Sequence, residues 1–178
     1  ELARLPGDGM LFLKVSSEGG CVRLHSGLVE TTDSESQRVH LAAVICTYKR
    51  EAYVKHNLAV LQREILENAA CPVKKNLDVL VVDNGHTLEL QDTEQIHVFP
   101  NKNYGGSGGF TRGLIEAYQR KGQYTHVLFM DDDISFEPES LLRTIQFLKV
   151  LKPSEIPVFI GGQMLAEGAP TIQFESGA

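Results

Sequence analysis

The sequence lacks an excess of basic residues and any long hydrophobic stretch, and each of these absences excludes a class of protein. Its 178 residues include 17 Lys and Arg against 23 Asp and Glu, a formal net charge of −6, so no basic surface indicates a nucleic-acid partner. The longest wholly apolar run, residues 41–46, is far shorter than the roughly 20 residues of a membrane-spanning helix. We therefore expect neither a nucleic-acid partner nor a transmembrane segment in this chain.

Cysteine and histidine are too scattered for a disulfide framework or a zinc site. The three cysteines, Cys21, Cys46 and Cys71, include no Cys-x-x-Cys pair, and the six histidines show no His-Glu-x-x-His spacing. A reducing compartment fits this usage, so we expect a cytoplasmic protein, and peripheral association of the full protein with the inner face of a membrane is compatible with it. The chain begins at Glu1 and ends without a terminating element, so we expect a piece of a longer protein.

Residues 1–38 differ in pattern from the rest of the chain. Two short β-like runs, 10–15 and 22–25, are separated by a glycine-containing turn, which predicts a β-hairpin. The wholly polar segment 31–37 that follows predicts a linker or long loop. We therefore predict that a hairpin and a linker precede a main domain at 39–178.

The main domain alternates short apolar runs with helical periods, which predicts an α/β fold with a mostly parallel sheet flanked by helices. The predicted strands are residues 41–46, 77–82, 96–99, 127–130 and 158–160. The residues predicted to face the sheet from three helices are Val54, Leu58, Leu61 and Ile65, then Phe110, Leu114, Ala117 and Tyr118, then Leu141, Ile145 and Leu148. The second helix is predicted to start after Gly109 and the third at Pro138.

Polar residues follow the first four predicted strands at the point where each strand ends. In open α/β sheets, ligands bind outside the carboxyl ends of the strands, where loops converge and helix N-termini point at the crevice. The residues at these ends are Thr47 and Arg50, Asp83 and Asn84, Asn101 and Asn103, and finally Asp131, Asp132 and Asp133. The sequence therefore predicts one binding site at this edge of the sheet.

Three consecutive carboxylates, Asp131, Asp132 and Asp133, emerge together from a strand. Crowded like charges need compensation, and the nearest basic residue ahead in the chain is Arg143. A divalent cation is the economical partner, and hard oxygen ligands select Mg²⁺ or Mn²⁺. If the extended geometry persists, Asp131 and Asp133 face one pocket and Asp132 another.

Two alternatives exist for this acidic run. The carboxylates could cap the following helix, although a start at Pro138 is too distant for a capping contact. Alternatively, Asp131 could be the nucleophile of a phosphoryl-transfer hydrolase, although no downstream lysine and acidic pair completes that motif.

A glycine-rich segment, residues 105–109, leads into the second predicted helix. Glycine permits close approach of the backbone, so this helix N-terminus, with Gly106 and the fork of Arg112, could hold a phosphate or a sugar diphosphate. The segment lacks the lysine of an ATP-binding loop and the spacing of a dinucleotide fingerprint. A mobile surface turn is the alternative.

Asp83, at the end of the second predicted strand, has two interpretations. Its carboxylate accepts hydrogen bonds and so suits a base or a ribose. Alternatively, it belongs to an Asp-Asn-Gly turn.

In this order, the motifs resemble glycosyltransferase family 2, in particular its galactofuranosyltransferase and rhamnosyltransferase-like branch. The matching segments are 44–50, 80–85, 101–113 and 129–133, within roughly residues 39–166. The resemblance implies a GT-A fold, truncated here, and a metal-dependent, inverting hexosyltransferase. It also implies a β-rich module ahead of the main domain, of which the hairpin in residues 1–38 would be the remnant. Its donor would be a UDP- or dTDP-linked sugar such as galactofuranose or rhamnose. Its acceptor would be a glycan or a lipid-linked glycan of a cell-wall polysaccharide.

The resemblance also assigns roles to individual residues. The implied donor-binding residues are Thr47, Arg50, Asp83, Asn84, Asn103, Gly106, Arg112 and Asp132. Among these, Asp83 would contact the base and Asp132 would lie near the sugar, while Asp131 and Asp133 would bind Mn²⁺ or Mg²⁺. The general base is expected outside this chain, because Glu167 and Glu175 are available but unmarked.

Two further functions are compatible with the sequence. One is a module that binds a sugar nucleotide without transferring the sugar, which would explain why no acceptor-binding part is recognised in this sequence. A nucleotide-sugar pyrophosphorylase would need its glycine-rich loop directly after the first strand, where this chain has Cys46, Thr47, Tyr48 and Lys49.

Overall fold

The computed structural model describes residues 15–23, 25, 32, 34–152 and 158–175, and the chain divides into two units after Thr32. In the first unit, residues 15–23 form bends and irregular chain. Most of the hairpin predicted for the N-terminal region lies outside the described residues. The hairpin and the boundary near residue 38 therefore stay predictions.

The second unit is built on a four-stranded parallel sheet. Its strands are β1 (Leu41–Thr47), β2 (Leu77–Asp83), β3 (Ile96–Pro100) and β4 (His126–Asp131). They lie in the order β3-β2-β1-β4, and every residue of β2 is buried. Strands buried on both faces read as continuous apolar runs, which explains the correct prediction of β1 and β2. The edge strands β3 and β4 are only partly buried, but their short apolar runs also predicted them correctly.

The register of the sheet brings the polar strand ends together. Thr47 at the end of β1 lies opposite Asp83 at the end of β2, and Cys46 lies opposite Asp131 at the end of β4. The carboxyl ends of three strands therefore meet at one edge.

The fifth predicted strand, residues 158–160, is wrong, because this segment forms no strand. A separate antiparallel hairpin follows instead, formed by β5 (Met164–Ala166) and β6 (Ala169–Glu175).

Among the described residues, no helix combines the length and apolar character needed to cross a bilayer.

Two of the three predicted helices are confirmed with their buried faces. The first, α1 (Glu51–Leu61), continues into a π-helical turn, Gln62–Leu66, and the four residues predicted to face the sheet are buried. The last helix, Pro138–Val150, begins at the predicted proline and also buries its three predicted residues. This last helix is α3. The second helix, between α1 and α3, is α2 (Gly105–Gln119).

Helix α2 differs from the prediction in its start and in part of its buried face. It begins at Gly105, so the glycine-rich segment is helix rather than a mobile turn. Its buried residues are Gly109, Gly113 and Ala117, whereas Leu114 and Tyr118 are 44% and 76% exposed. Of the four predicted residues, Ala117 is buried and Phe110 packs against its core cluster. The predicted face is therefore wrong at Leu114 and Tyr118.

Close packing against β1 explains the buried glycines. A Cβ atom added to Gly109 would lie 2.1 Å from the Cys46 Sγ, and one added to Gly113 would lie 2.2 Å from a Val44 methyl carbon. No side chain fits at such distances. Glycine at these two positions is what allows α2 to lie directly on β1.

The predicted linker packs against the end of α3 in its described part. Ser36 donates hydrogen bonds from its amide and its hydroxyl to the Lys149 and Leu151 carbonyls, at 2.7 Å each. The Gln37 side-chain amide donates to the Leu148 carbonyl at 2.8 Å. Residues 36 and 37 are thus part of the second unit rather than a free linker.

We predict that Gly113→Ala lowers the free energy of unfolding by about 1–3 kcal/mol, because the new methyl group overpacks the contact with Val44. Urea denaturation monitored by circular dichroism measures this change. Gly106→Ala in the same helix is the matched control, since its Cβ would meet no atom within 4 Å. The control should keep the stability or raise it by up to about 1 kcal/mol. Equal effects of the two substitutions would contradict the packing explanation.

Candidate functional site

The carboxyl ends of β1, β2 and β4 and the start of α2 surround one cleft of about 540 Å³. The residues that line it are Cys46, Thr47, Tyr48, Arg50, Asn84, Asn103, Gly105, Gly106, Asp131, Asp132 and Asp133. Every site residue predicted from the sequence belongs to this set except Asp83, Asn101 and Arg112. Residues from four separate motifs therefore converge on a single space.

Asp132 is buried at the bottom of the cleft and is held from two sides. The Thr47 hydroxyl donates a hydrogen bond to its Oδ2 at 2.7 Å. The Asn57 side-chain amide donates to its backbone carbonyl at 3.0 Å. All three residues are buried, so these bonds are shielded from water and fix the turn that follows β4.

Asn57 is a site residue that the sequence prediction missed. It lies three positions after Val54 and four before Leu61, on the buried face of α1. Because buried polar groups require hydrogen-bond partners, an amide inside an otherwise apolar helix face is the signal that could have identified it.

Arg50 supplies the positive charge that the sequence argument did not find. Its Nη1 donates a hydrogen bond to the Asp133 Oδ2 and lies 3.5 Å from the Asp132 Oδ1. The hydrogen bond to Asp133, and then the charges of Asp133 and Asp132, raise the pKa of Arg50 above its usual value. The prediction that the local sequence offers no basic partner agrees with the structure, because the partner comes from the loop after β1, 83 positions away.

The Arg50–Asp133 pair is accessible to solvent. The two side chains are 48% and 43% exposed. Ion pairs with this exposure contribute little to stability, because water and salt screen them. The pair can therefore open at small cost.

The acidic run departs from the predicted alternation of side chains. Strand β4 ends at Asp131, and Asp132 and Asp133 lie in a turn. Asp132 consequently lines the same cleft as its neighbours rather than a second pocket. The three aspartates do not cap α3 either, whose N-cap residue is Glu137.

The carboxylates suit a cation that is shared with a phosphate ligand. Among the described residues, no three His, Cys, Asp or Glu side chains converge closely enough to hold a metal ion by themselves. Asp131 and Asp133, however, are both exposed carboxylates of one cleft. Mg²⁺ is usually bound by one or two carboxylates together with phosphate oxygens and water, and this donor set fits that pattern.

Asp83 shapes a loop instead of facing the cleft. Its Oδ1 accepts a hydrogen bond from the Gly85 amide at 2.9 Å, and its Oδ2 accepts from the amides of Thr87 and Leu88 at 2.8 Å each. The residue is only 2% exposed. The structure thus matches the turn alternative, and a contact between Asp83 and a base stays a prediction that requires this loop to move.

Three asparagines fix the start of α2 at the cleft. The Asn84 amide donates to the Gly105 carbonyl at 3.2 Å and its Oδ1 accepts from Asn101 at 2.8 Å. The Asn103 Oδ1 accepts from the Gly105 amide at 2.9 Å. This network ties the ends of β2 and β3 to the first turn of α2.

Arg112 is paired within its own helix. Its Nε and Nη2 both lie 2.8 Å from the Glu116 Oε1. Glu116 lies one turn further along α2, so the guanidinium already has a partner within the helix. Arg112 does not line the cleft. A donor contact by Arg112 stays a prediction.

Cys46 adds a thiol to the cleft wall. Burial, and then the charges of Asp132 and Asp131, raise the pKa of this thiol. The thiolate is the nucleophilic form of cysteine, so Cys46 stays protonated and weakly nucleophilic at neutral pH.

Comparison with known proteins gives two results. The family described as Glycosyl transferase family 2 matches residues 42–160. The chain is also similar to two proteins named galactofuranosyltransferase GlfT2. It is 33% identical over 156 residues to the one from Mycolicibacterium smegmatis and 32% identical over 156 residues to the one from Mycobacterium tuberculosis. The aligned regions cover 81% of this chain but only 22% and 23% of the two relatives, so the chain spans less than a quarter of their length.

We predict that Asn57→Ala lowers the free energy of unfolding by about 1–3 kcal/mol, because the Asp132 carbonyl then loses its donor in a buried environment. Chemical denaturation measures this loss. His56→Ala is the control on the same helix, since His56 is exposed, and its effect should stay within about 0.5 kcal/mol. A neutral Asn57→Ala would show that the hydrogen bond does not hold the turn.

We also predict that iodoacetamide alkylates Cys46 more slowly than the exposed Cys21. The raised pKa of Cys46 leaves less thiolate at neutral pH, so its alkylation should be slow there and should accelerate as the pH rises. Peptide mass spectrometry over a pH series gives both rates from one sample. Equal rates for the two thiols at neutral pH would contradict this.

Proposed function

The chain belongs to glycosyl transferase family 2, and from this we propose that its cleft binds the sugar donor of a glycosyltransferase. The donor is a nucleoside diphosphate sugar, and the acceptor is a glycan or a lipid-linked glycan. The observation that carries the proposal is the convergence of one guanidinium, three carboxylates and a helix N-terminus on a single cleft at the carboxyl edge of the sheet. Because both similar proteins are named galactofuranosyltransferase, galactofuranose linked to UDP is the first donor to test.

The start of α2 supports binding of the diphosphate. Gly105 and Gly106 line the cleft, and the N-cap residue, Tyr104, makes no side-chain capping bond. Asn103 accepts from the Gly105 amide, so the amides that follow it in the first turn are the ones that can meet an anion. The N-terminus of a helix attracts anions through its free amides and its dipole. A Cβ on Gly106 would point into open space, so phosphate oxygens can approach the backbone closely.

Asp131 and Asp133 are the residues that would hold Mn²⁺ or Mg²⁺. When bound, such a cation neutralises charge on the departing diphosphate. Arg50 has the fork geometry that pairs with phosphate oxygens through two parallel hydrogen bonds. Asp132, fixed by Thr47 and Asn57, would lie beside the sugar.

We propose an inverting transfer, in which a carboxylate removes the proton of the acceptor hydroxyl as its oxygen attacks the anomeric carbon in line with the departing diphosphate. Of the two carboxylates considered from the sequence, the described one, Glu167, is not placed for this role. Glu167 accepts a hydrogen bond from Ser135 at 3.2 Å in the turn between β5 and β6 and does not line the cleft. The side chain of Glu175 lies outside the described residues. We therefore propose that the base lies outside these 178 residues.

The hydrolase alternative gains no support from the cleft. Phosphoryl transfer to Asp131 would need a lysine and a further acidic pair around the phosphate, and the described lining residues contain no lysine. The sugar-nucleotide-binding module remains the second candidate, because it shares the donor cleft and differs only in turnover.

We predict that donor sugars stabilise the chain only in the presence of a divalent cation. With Mn²⁺ and UDP-galactofuranose at about 100 times its dissociation constant, the melting temperature should rise by roughly 5–10 °C. The double substitution Asp131→Asn/Asp133→Asn should abolish this rise. A thermal-shift panel of UDP- and dTDP-linked hexoses, with and without Mn²⁺, measures it.

The matched control is Glu64→Gln/Glu139→Gln, which removes two exposed carboxylates that lie outside the cleft and should leave the rise intact. Stabilisation that persists without the cation, or in the aspartate double variant, would refute the metal-dependent proposal. Release of UDP from the donor sugar by this chain would separately exclude a module without turnover.

A further inference from the structure

Arg50 is the one basic residue among the described residues that line the cleft. It faces three aspartates, so the free cleft carries two uncompensated negative charges. A diphosphate that enters alone meets this negative field. A divalent cation that enters alone finds one of the exposed carboxylates already engaged by Arg50.

The two aspartates that contact Arg50 differ in how firmly they are held. Asp132 is buried and is also bonded to Thr47 and Asn57. Asp133 is half exposed, and Arg50 is its one hydrogen-bonding partner among the described residues. The Arg50–Asp133 contact can therefore break while the turn at Asp132 keeps its position.

We propose that Arg50 exchanges partners, from Asp133 in the free protein to the diphosphate in the donor complex, and thereby couples cation binding to nucleotide binding. This inference rests on the proposed function. The diphosphate offers the guanidinium two oxygens in place of one carboxylate oxygen, and Asp133 is released for the cation. Each ligand then tightens the binding of the other by the same factor, as thermodynamic linkage requires.

The exchange predicts opposite effects of one substitution on the two ligands. Without nucleotide, Arg50→Gln should bind Mn²⁺ about two- to fivefold more tightly than the wild type, because a competing half-exposed ion pair is gone. With saturating Mn²⁺, the same variant should bind UDP about tenfold more weakly or worse, because a charged hydrogen-bond donor is lost. The factor by which UDP tightens Mn²⁺ binding should be smaller than in the wild type.

The experiment titrates the full 178-residue chain with MnCl₂ and measures free Mn²⁺ by electron paramagnetic resonance, first alone and then with saturating UDP. Arg63→Gln is the matched control, since it removes an exposed arginine paired with Glu64, away from the cleft, and should behave like the wild type. Arg50→Lys keeps the charge beside Asp133, so it should not gain the Mn²⁺ affinity of Arg50→Gln. Circular dichroism checks that each variant is folded.

Two results would overturn the exchange alone. They are an Arg50→Gln variant that binds Mn²⁺ no more tightly than the wild type, and one in which UDP tightens Mn²⁺ binding by the wild-type factor. In both cases UDP binding that depends on Mn²⁺ and on Asp131 would leave the proposed function standing. If the wild type binds no Mn²⁺ with or without UDP, the proposed function and the exchange both fail.

Discussion

The contact between α2 and β1 is the constraint on which the site depends. Gly109 and Gly113 let the helix lie so close to Cys46 and Val44 that not even a methyl group fits between them. This contact fixes the distance between the first turn of α2 and the carboxyl ends of the strands. Asparagines at the ends of β2 and β3 then hold that turn in place. The helix N-terminus and the aspartates of β4 consequently face each other across a cleft instead of lying on separate surfaces.

The acidic run divides its tasks between neighbouring residues. Asp132 belongs to the protein interior, where a threonine and an asparagine from other elements bond to it. Asp131 and Asp133 remain at the surface of the cleft. The proposed exchange of Arg50 from Asp133 to a diphosphate requires a turn that keeps its shape, and the buried position of Asp132 between two accessible residues provides it.

Much of the fold and most of the cleft could be predicted because their signals are local. Buried parallel strands leave continuous apolar runs, α1 and α3 leave apolar faces of helical period, and the strand ends leave polar residues in known places. The buried face of α2 could not be predicted in this way. Hydrophobicity favours large side chains such as Leu114 and Tyr118, yet the distance to β1 admits only glycine and alanine. That distance is a tertiary property.

The partners of individual side chains were also beyond the reach of the sequence. Arg50 meets Asp133 across 83 positions, and Asn57 meets Asp132 across 75, so a search for nearby charges along the chain finds neither. Asp83 and Arg112 show the converse. Their residue types suit a nucleotide ligand. However, the Asp83 carboxylate already accepts hydrogen bonds from nearby backbone amides, and the Arg112 guanidinium already pairs with Glu116.

The described residues that line the cleft all fall between positions 46 and 133, and Asn57, which holds the turn at Asp132, lies inside the same interval. One uninterrupted segment of polypeptide therefore supplies every described wall of the pocket. Helix α3, which follows this segment, packs into the core. Such an arrangement is modular. Recombination, insertion or replacement beyond α3 can change what is presented beside the pocket while leaving these walls intact.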